Sequence, residues 1–289
     1  MRRIDTCEEG QSRGRVREIY TEIEHDFGSP YVGEVFRALA SYDADVFDRI
    51  WTELKPNVET QAFIDLSGQL RQRINALAEV TFEPIDFYSW LLDHDFSRED
   101  IRRIMYTLEV LHYVNPKYLL ATAALLTTVM RVRDPRIIRR RASEITAFEP
   151  DFPTRIPQVM PEQASDDVKE DYYDIADVMG IPVIPDDFQA LAHWPDFLRQ
   201  VWTEFRSAMR SSTFLDEAQM VSTFAVSAAQ ELPYTMKLDV DQEVRRILET
   251  FLSIYARVSV VTAAIRWMVI EGERTVRIVG RAAGERPSE

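Results

Sequence analysis

An internal duplication constrains the fold of this chain more than any other feature of its sequence. Residues 16–40 align without a gap on residues 168–192. The identical positions pair Val16, Glu18, Tyr20, Ile23, Gly28, Pro30, Phe36, Ala38, Leu39 and Ala40 with Val168, Glu170, Tyr172, Ile175, Gly180, Pro182, Phe188, Ala190, Leu191 and Ala192. A sequence repeated in this way predicts two copies of one supersecondary unit that pack against each other.

Two later stretches extend the correspondence. After a shift of one residue, Trp-Thr-Glu at 51–53 recurs at 202–204, and "EDIRRIMYTLEVLHY" at 99–113 is echoed by "QEVRRILETFLSIYA" at 242–256. The repeat period of about 150 residues far exceeds the roughly 20–50 residues of solenoid repeats. The sequence therefore predicts a paired helical bundle and not an extended array.

The spacing of apolar residues predicts helices in both copies. Apolar residues return every three or four positions, as in the segments 101–111 and 244–254, which is typical of amphipathic helices. Ser97, three residues before Asp100, is a capping signal for the first of these helices. Strand signals are weak, since no alternating run of β-branched residues lies between turn residues. We predict an all-α fold made of two tandem pseudo-symmetric repeats.

A proline-rich stretch separates the two copies. Residues 148–167 contain Pro150, Pro153, Pro157 and Pro161, which lie too close together for a helix to pass through. We therefore predict three parts: an N-terminal helical repeat at 1–147, an extended linker at 148–167 and a C-terminal helical repeat at 168–289. The predicted ligand site lies between the repeats.

The charge balance limits the partners of the chain. Its 34 basic and 48 acidic residues give a net charge of -14, which repels nucleic-acid phosphates and anionic lipid surfaces. No nucleic acid or membrane partner is expected. Lysines occur only at 55, 117, 169 and 237, so arginine dominates the basic residues. This composition suits the salt-rich cytoplasm of a halophile, and a GC-rich genome would favour arginine as well.

Cysteine usage and hydropathy indicate a cytoplasmic protein. Cys7 is the single cysteine, which leaves no internal disulfide, CxxC pair or thiolate metal cage. The first fifteen residues lack the apolar core of a signal peptide. The longest apolar run, 118–130, is shorter than the roughly 18 residues of a membrane span. We predict that this run is a buried helix.

Positions that break the repeat are candidates for a site that occurs once. Asp187 aligns with Val35, and Asp186 aligns with Glu34. When the two Arg-Arg-Ile segments are superposed, Asn115 falls opposite Val258 and Tyr255 falls opposite His112. A carboxylate from one copy and an amide from the other would serve a ligand site at the repeat interface.

Structural roles are alternatives for the same two residues. An aspartate at the start of "DFQALA" is a favoured N-cap, and a capping carboxylate has a lowered pKa that makes it a poor base. Asn115 precedes Pro116, and a residue before proline avoids helical angles, so it could simply mark a helix break.

Two motifs carry a resemblance to a known family. "NPKYLL" at 115–120 and "DFQALAHWP" at 187–195, together with the tandem repeats and the linker, resemble the group I 2-haloacid dehalogenases, which act on both D and L enantiomers. The resemblance implies that Asp187 takes a proton from water, that Asn115 helps to hold this water, and that the water displaces halide at C2 with inversion and without a covalent intermediate. It also implies a small carboxylic acid substrate, no metal or other cofactor, and a homodimer.

The same resemblance points to pocket residues, some of which depart from the family pattern. It places Tyr255 in the pocket, and Phe188 offers apolar cover beside the base. The residue before the base is serine in the best-known members and Asp186 here, and the expected Trp and Phe pair of the first repeat is Tyr31 and Glu34. The two extra acids, Asp186 and Glu34, would repel a haloacid carboxylate unless they point away from it or pair with an arginine.

Two other functions compete with hydrolysis. Glu22 with His25 and Glu109 with His112 are E-x-x-H pairs of the kind used by ferritin-like di-iron bundles, although the superposed repeats do not bring the pairs to equivalent positions. A non-catalytic helical binding module is the stronger alternative, because a duplicated bundle alone proves no chemistry.

Overall fold

Eleven α-helices and two short 3₁₀ helices, Glu9–Gln11 and Ala208–Arg210, make up the regular structure of the described residues, with no strand among them. The computed structural model describes residues 4–144, 152 and 154–282, and side chains as far as residue 275. The helices are α1 Gly14–Phe27, α2 Glu34–Tyr42, α3 Ala44–Val58, α4 Gln61–Thr81, α5 Phe87–Asp93, α6 Arg98–Val129, α7 Asp166–Met179, α8 Asp186–Leu191, α9 Pro195–Phe205, α10 Ser212–Gln230 and α11 Gln242–Ala282. The predicted all-α class is confirmed.

Local sequence signals explain where the helices begin. Ser97 is the N-cap of α6, and its side chain accepts a hydrogen bond from the backbone N–H of Asp100 at 3.1 Å. Ser165 caps α7 in the same way through Val168. These bonds satisfy donors that a helix terminus leaves without intrahelical partners.

The two longest helices, α6 and α11, form the centre of the bundle. They pack against each other, and α4 and α10 pack against both. The apolar stripe 244–254 of α11 faces the core, and almost every side chain of α6 from 110 to 127 is buried. The segment Gln242–Thr275 of α11 is long and apolar enough to cross a membrane, yet 78% of its most apolar window is buried inside the protein, as in a central core helix.

Equivalent positions of the two copies make equivalent hydrogen bonds. Helices α1 and α7 both end at a left-handed glycine, Gly28 with φ 58° and Gly180 with φ 61°. Tyr20 donates to the Cys7 carbonyl as Tyr172 donates to the Val159 carbonyl. The Cys7 N–H donates to the Arg37 carbonyl as the Val159 N–H donates to the Gln189 carbonyl. The Trp51 indole donates to Glu22 as the Trp202 indole donates to Asp174. The duplication itself stays a prediction from sequence.

The described part of the predicted linker contacts both copies, through Arg155 on the first and through residues 158–159 on the second. Helix α7 begins at Asp166, two residues before the predicted boundary at 168. Before it, the Val159 N–H donates to the Gln189 carbonyl at 2.9 Å, and the Gln158 amide reaches Asp186 at 2.9 Å. Pro150 and Pro153 lie outside the described residues. This stretch therefore contributes to the region around α8 and does more than join two halves.

Replacing Gly180 by alanine is expected to lower the free energy of unfolding by about 1 kcal/mol, because alanine resists the left-handed backbone of this helix end. Gly68 is the matched control. It lies inside α4 with open space around its Cα, so Gly68→Ala should stabilise the protein by roughly 0.5–1 kcal/mol. Urea unfolding measures both changes, and equal effects of the two substitutions would contradict the account.

Candidate active site

The structure brings Asp187 and Asn115 together at the junction of α8, α6 and α11. The Asn115 side-chain amide donates to Asp187 Oδ1 at 2.7 Å. The Thr262 hydroxyl of α11 donates to the same oxygen. Asn115, Asp187 and Thr262 are exposed by 0%, 3% and 2%. A carboxylate so deeply buried is costly unless it is hydrogen-bonded, and here two donors from two central helices hold one of its oxygens.

The two structural alternatives for these residues are wrong. The N-cap residue of α8 is Pro185, and no side chain caps this helix, so Asp187 is not a capping residue. Asn115 does not mark a helix break either, because α6 continues through Pro116 to Val129. The proline lacks an N–H and leaves one backbone carbonyl of α6 without its usual donor, while the core around this part of the helix keeps it intact.

The other oxygens of the pair are free to bind a ligand. Asp187 Oδ2 and Asn115 Oδ1 are both buried and have no hydrogen-bond partner among the described residues. A buried polar atom without a partner costs free energy. Both atoms are acceptors, so each can receive a hydrogen bond from an O–H donor such as water.

Burial also tunes Asp187 toward basicity. Desolvation raises the pKa of the Asp187 carboxyl above its ordinary value, while the hydrogen bonds from Thr262 and Asn115 lower it in part. A carboxylate with a raised pKa is a stronger base when ionised. The site thus holds a buried carboxylate that has one restrained oxygen and one available oxygen.

An ion pair neutralises the second aspartate. Arg37 of α2, exposed by only 1%, donates to Asp186 Oδ1 and also binds Glu8 at 2.7 Å. Asp186 Oδ2 accepts the backbone N–H of Glu34 at 3.1 Å. An acid beside a carboxylate substrate has to point away from it or pair with an arginine, and Asp186 pairs with Arg37.

Glu34 is buried beside this pair and bonds across the two copies. Its Oε1 accepts the side-chain amide of Gln189 at 3.3 Å. Burial first, and then the negative charge of Asp186, raise the pKa of Glu34 well above the ordinary value. Burial likewise raises the pKa of Asp186 to about 6, with the Arg37 charge opposing. Near neutral pH the cluster of Glu34, Asp186 and Asp187 therefore carries less negative charge than three ionised carboxylates would.

Three tyrosines form an aromatic wall beside the acids. Tyr118 of α6 stacks on Tyr255 of α11 with ring centroids 5.8 Å apart, and its edge meets Tyr31 at 5.8 Å. The Tyr31 hydroxyl is buried without a partner in the described structure. Burial raises the pKa of Tyr31 and of Tyr255, with the charge of Asp186 adding to both. Tyr31 and Tyr255 thus lie together with Tyr118 beside Asp186, and their role as pocket residues stays a prediction.

The Phe188 side chain packs toward α9 and not against the three tyrosines. Its ring packs edge-on against Trp202 of α9, with the centroids 5.9 Å apart. This contact anchors the short helix to its neighbour. The structure accordingly gives Phe188 a packing role beside the site and does not place its ring with the tyrosine wall.

A cleft of about 860 Å³ approaches the site from the surface. Glu8, Glu34 and Gln189 belong to its lining, with residues 160–163 and 181–184 forming much of the rest. Asp187 and Asn115 do not line it. Asp187 therefore does not face this cleft, whereas Glu34 and Gln189 do.

Other partners occupy the residues of the proposed di-iron pairs. Glu22 binds the Trp51 indole and Lys55, each at 2.8 Å, and Glu109 binds Arg266 at 2.5 Å. His112 contacts Asn75 at 2.7 Å. Within the described part of the chain no three His, Cys, Asp or Glu side chains gather as a metal site would require. The structure thus gives the iron alternative no support.

Comparison with known proteins agrees with this architecture. The model of the family described as "Halocarboxylic acid dehydrogenase DehI" matches residues 30–175 and 182–288. An (R)-2-haloacid dehalogenase of Pseudomonas putida is 27% identical over 232 residues, which cover 78% of this chain and 75% of that protein. A configuration-inverting 2-haloacid dehalogenase of Pseudomonas sp. (strain 113) is 24% identical over 76% of this chain and 71% of that protein.

Solved structures share the fold. The crystal structure of a D-2-haloacid dehalogenase mutant superposes with a TM-score of 0.82 at 21% identity, covering 92% of this chain and 96% of that one. A complex of a D-2-haloacid dehalogenase with L-LA gives a TM-score of 0.75 at 22% identity, over 94% and 95% of the two chains. Since the family model spans most of the sequence, the chain belongs to the halocarboxylic acid dehydrogenase family DehI.

Proposed function

We propose that the protein is a hydrolytic 2-haloacid dehalogenase in which Asp187 activates water. The observation that carries this proposal is the pair of buried, unpartnered acceptors, Asp187 Oδ2 and Asn115 Oδ1, on two residues that a hydrogen bond joins. A water molecule that donates one O–H to each is fixed in position and loses its proton to the stronger base, Asp187.

The reaction is then a single displacement. The water oxygen forms a bond to C2 as the carbon–halogen bond breaks, the halide leaves with the bonding electrons, and Asp187 takes the proton from the water. The products are a 2-hydroxy acid with inverted configuration, a halide ion and a proton, which Asp187 later releases to solvent. No atom of the protein bonds to the substrate.

The enantiomer preference belongs to the same proposal. Two curated relatives are named (R)-2-haloacid dehalogenases, which favours the R enantiomer as a substrate. The resemblance to enzymes acting on both enantiomers predicts that the S enantiomer reacts as well. Separate incubations with (R)- and (S)-2-chloropropanoate, followed by chloride assay and chiral analysis of the lactate, decide between these possibilities. Chloride release from neither enantiomer would remove the proposed function and favour the non-catalytic binding module.

The pH dependence of the rate should report Asp187. Because the base must be ionised, activity is lost as pH falls through the pKa of Asp187, which burial has raised. Thr262→Val removes a hydroxyl that stabilises the ionised carboxylate. We expect the acid limb of kcat/KM to move to higher pH in this variant. Thr223→Val changes an exposed threonine of α10 and should leave the limb in place, and an unmoved limb in both variants would contradict the assignment.

Three further expectations from the sequence remain proposals. We propose a homodimer, a cytoplasmic location and a halophilic origin for the acidic surface. Analytical ultracentrifugation across a range of salt concentrations tests the homodimer and the halophilic origin together. A halophilic protein should keep its assembly as the salt concentration increases.

A further inference from the structure

Three hydrogen-bond donors from separate segments converge on the Asp186 carboxylate. The Arg37 guanidinium of α2 and the Gln158 side-chain amide, the latter at 2.9 Å, donate to Oδ1. The backbone N–H of Glu34 donates to Oδ2 at 3.1 Å. This set of donors, which we name the carboxylate receptor, has the composition that recognises any small carboxylate: one guanidinium, one amide and one backbone N–H.

Arg37 retains binding capacity that Asp186 does not use. Its Nη2 serves Asp186 and its Nη1 serves Glu8, but its Nε is buried with no partner among the described residues. Nε and Nη2 form the edge of a guanidinium that binds both oxygens of one carboxylate. Asp186 engages one half of this edge, so a second carboxylate oxygen still has a donor to meet.

The carboxylate receptor borders both the entry cleft and the base. Glu34 and Glu8, which flank Arg37, line the cleft of about 860 Å³. Asp186 is directly followed by Asp187, whose free oxygen faces the proposed water. The charge of Asp187 also acts on Asp186, so a short acid that took the place of Asp186 on Arg37 would lie near the proposed base, as a substrate reacting at the carbon beside its carboxylate requires.

Charge decides which carboxylate can occupy the receptor. Asp186 and an incoming carboxylate would compete for a single buried cation, because two like charges cannot share such a site cheaply. The charged and titratable groups that face Asp186 are Arg37 and Glu34 on α2, Glu8 in the N-terminal segment, Asp187 on α8, Tyr31 before α2, Tyr118 on α6 and Tyr255 on α11. Of these only Arg37 attracts an anion. Asp186 must therefore give up its place, or gain a proton, before another carboxylate binds.

We propose that the donors of Arg37, Gln158 and Glu34 form the binding site for the substrate's carboxylate, and that Asp186 occupies this site in the free protein as an internal stand-in for it. The identity of the ligand as a 2-halo acid rests on the proposed function, whereas the binding of a carboxylate does not. Substrate entry exchanges one carboxylate for another on Arg37, with Asp186 leaving as the neutral acid. Binding should accordingly take up a proton above the pKa of Asp186, which is about 6.

Propanoate, which has no halogen and cannot react, tests this proposal by isothermal titration calorimetry. Asp186→Ser removes the stand-in, and we expect propanoate to bind at least about 10-fold more tightly than to the wild type at pH near 8. Wild-type affinity should rise as pH falls toward about 5.5, while the variant's affinity should stay nearly flat over this range. Propanamide, the uncharged analogue, should gain nothing from the substitution. Asp171→Ser removes a half-buried acid of α7 that pairs with Arg199 and is the matched control.

A second substitution examines the donor side of the receptor. In the Asp186→Ser background, Arg37→Lys keeps the charge but removes the two-pronged edge, so propanoate should bind about 10-fold more weakly. Gln158→Leu removes another donor at a partly buried position outside the helices and serves if the lysine variant does not fold. Unchanged propanoate affinity in Asp186→Ser, or no binding to any variant, overturns the proposal. This experiment measures propanoate binding and not chloride release. Its outcome is therefore independent of whether the proposed dehalogenase activity is found.

Discussion

Asp187→Asn is expected to reduce kcat/KM for chloride release from (R)-2-chloropropanoate by at least about 10³-fold. An asparagine keeps the size of the side chain and can still accept the hydrogen bonds of Asn115 and Thr262. It cannot take a proton from water. The loss should therefore appear in kcat, with KM little changed, because the variant retains the groups that bind the substrate.

The same substitution should stabilise the protein, which separates a chemical defect from a folding defect. Burial raises the pKa of Asp187 in the folded state, so the ionised group destabilises the native state once pH exceeds the ordinary aspartate value. Removing this charge should raise the free energy of unfolding by about 1 kcal/mol at neutral pH. Asp177→Asn, at a position of α7 whose side chain is 80% exposed, should change neither quantity. A stable Asp187→Asn protein with wild-type activity would exclude Asp187 as the base.

Asn115→Leu should cost roughly 10²-fold in kcat. The leucine has the same branched shape and number of heavy atoms, but it removes both the donor to Asp187 Oδ1 and the acceptor Oδ1 proposed for the water. Water would then be held by Asp187 alone, and the position of its attacking oxygen would be less restricted. Steady-state halide release measures the effect.

Asn57 supplies the control for this substitution. It is as deeply buried as Asn115, but it bonds to the backbone of Tyr234 at 3.1 Å and 2.9 Å. Asn57→Leu should lower the thermal stability, because it strands those backbone groups, and should leave kcat of the folded enzyme unchanged. Equal losses of kcat in the two variants would show that Asn115 acts only through the fold.

The sequence predicted the helical class because its local signals agree with its packing. The stripe of apolar residues at 244–254 became the buried face of α11, and Ser97 became the N-cap of α6. Comparison of the two copies singled out Asn115 and Asp187, and the structure joins them by a hydrogen bond. Such positions can be found from sequence since packing residues recur in both copies whereas residues of a single site do not.

Residues that depend on tertiary partners were missed. Arg37 is one of many arginines, and nothing local shows that it is buried against Asp186. Gln158 lies in the predicted linker, where no contact with α8 was expected. Thr262 falls opposite Leu119 when the Arg-Arg-Ile segments are superposed, so the comparison that found Asn115 also contained the signal for Thr262. Phe188, expected in the pocket, serves packing because the short helix turns its ring toward Trp202.

The most direct test of the central claim is a single-turnover reaction in water enriched in ¹⁸O, with enzyme in excess over 2-chloropropanoate. Direct attack by a water held between Asp187 and Asn115 predicts that one labelled oxygen enters every lactate molecule and that no label enters the protein. Unlabelled lactate from the first turnover, with ¹⁸O recovered in the peptide that contains Asp187, would show that the carboxylate itself attacked C2 and would contradict the account.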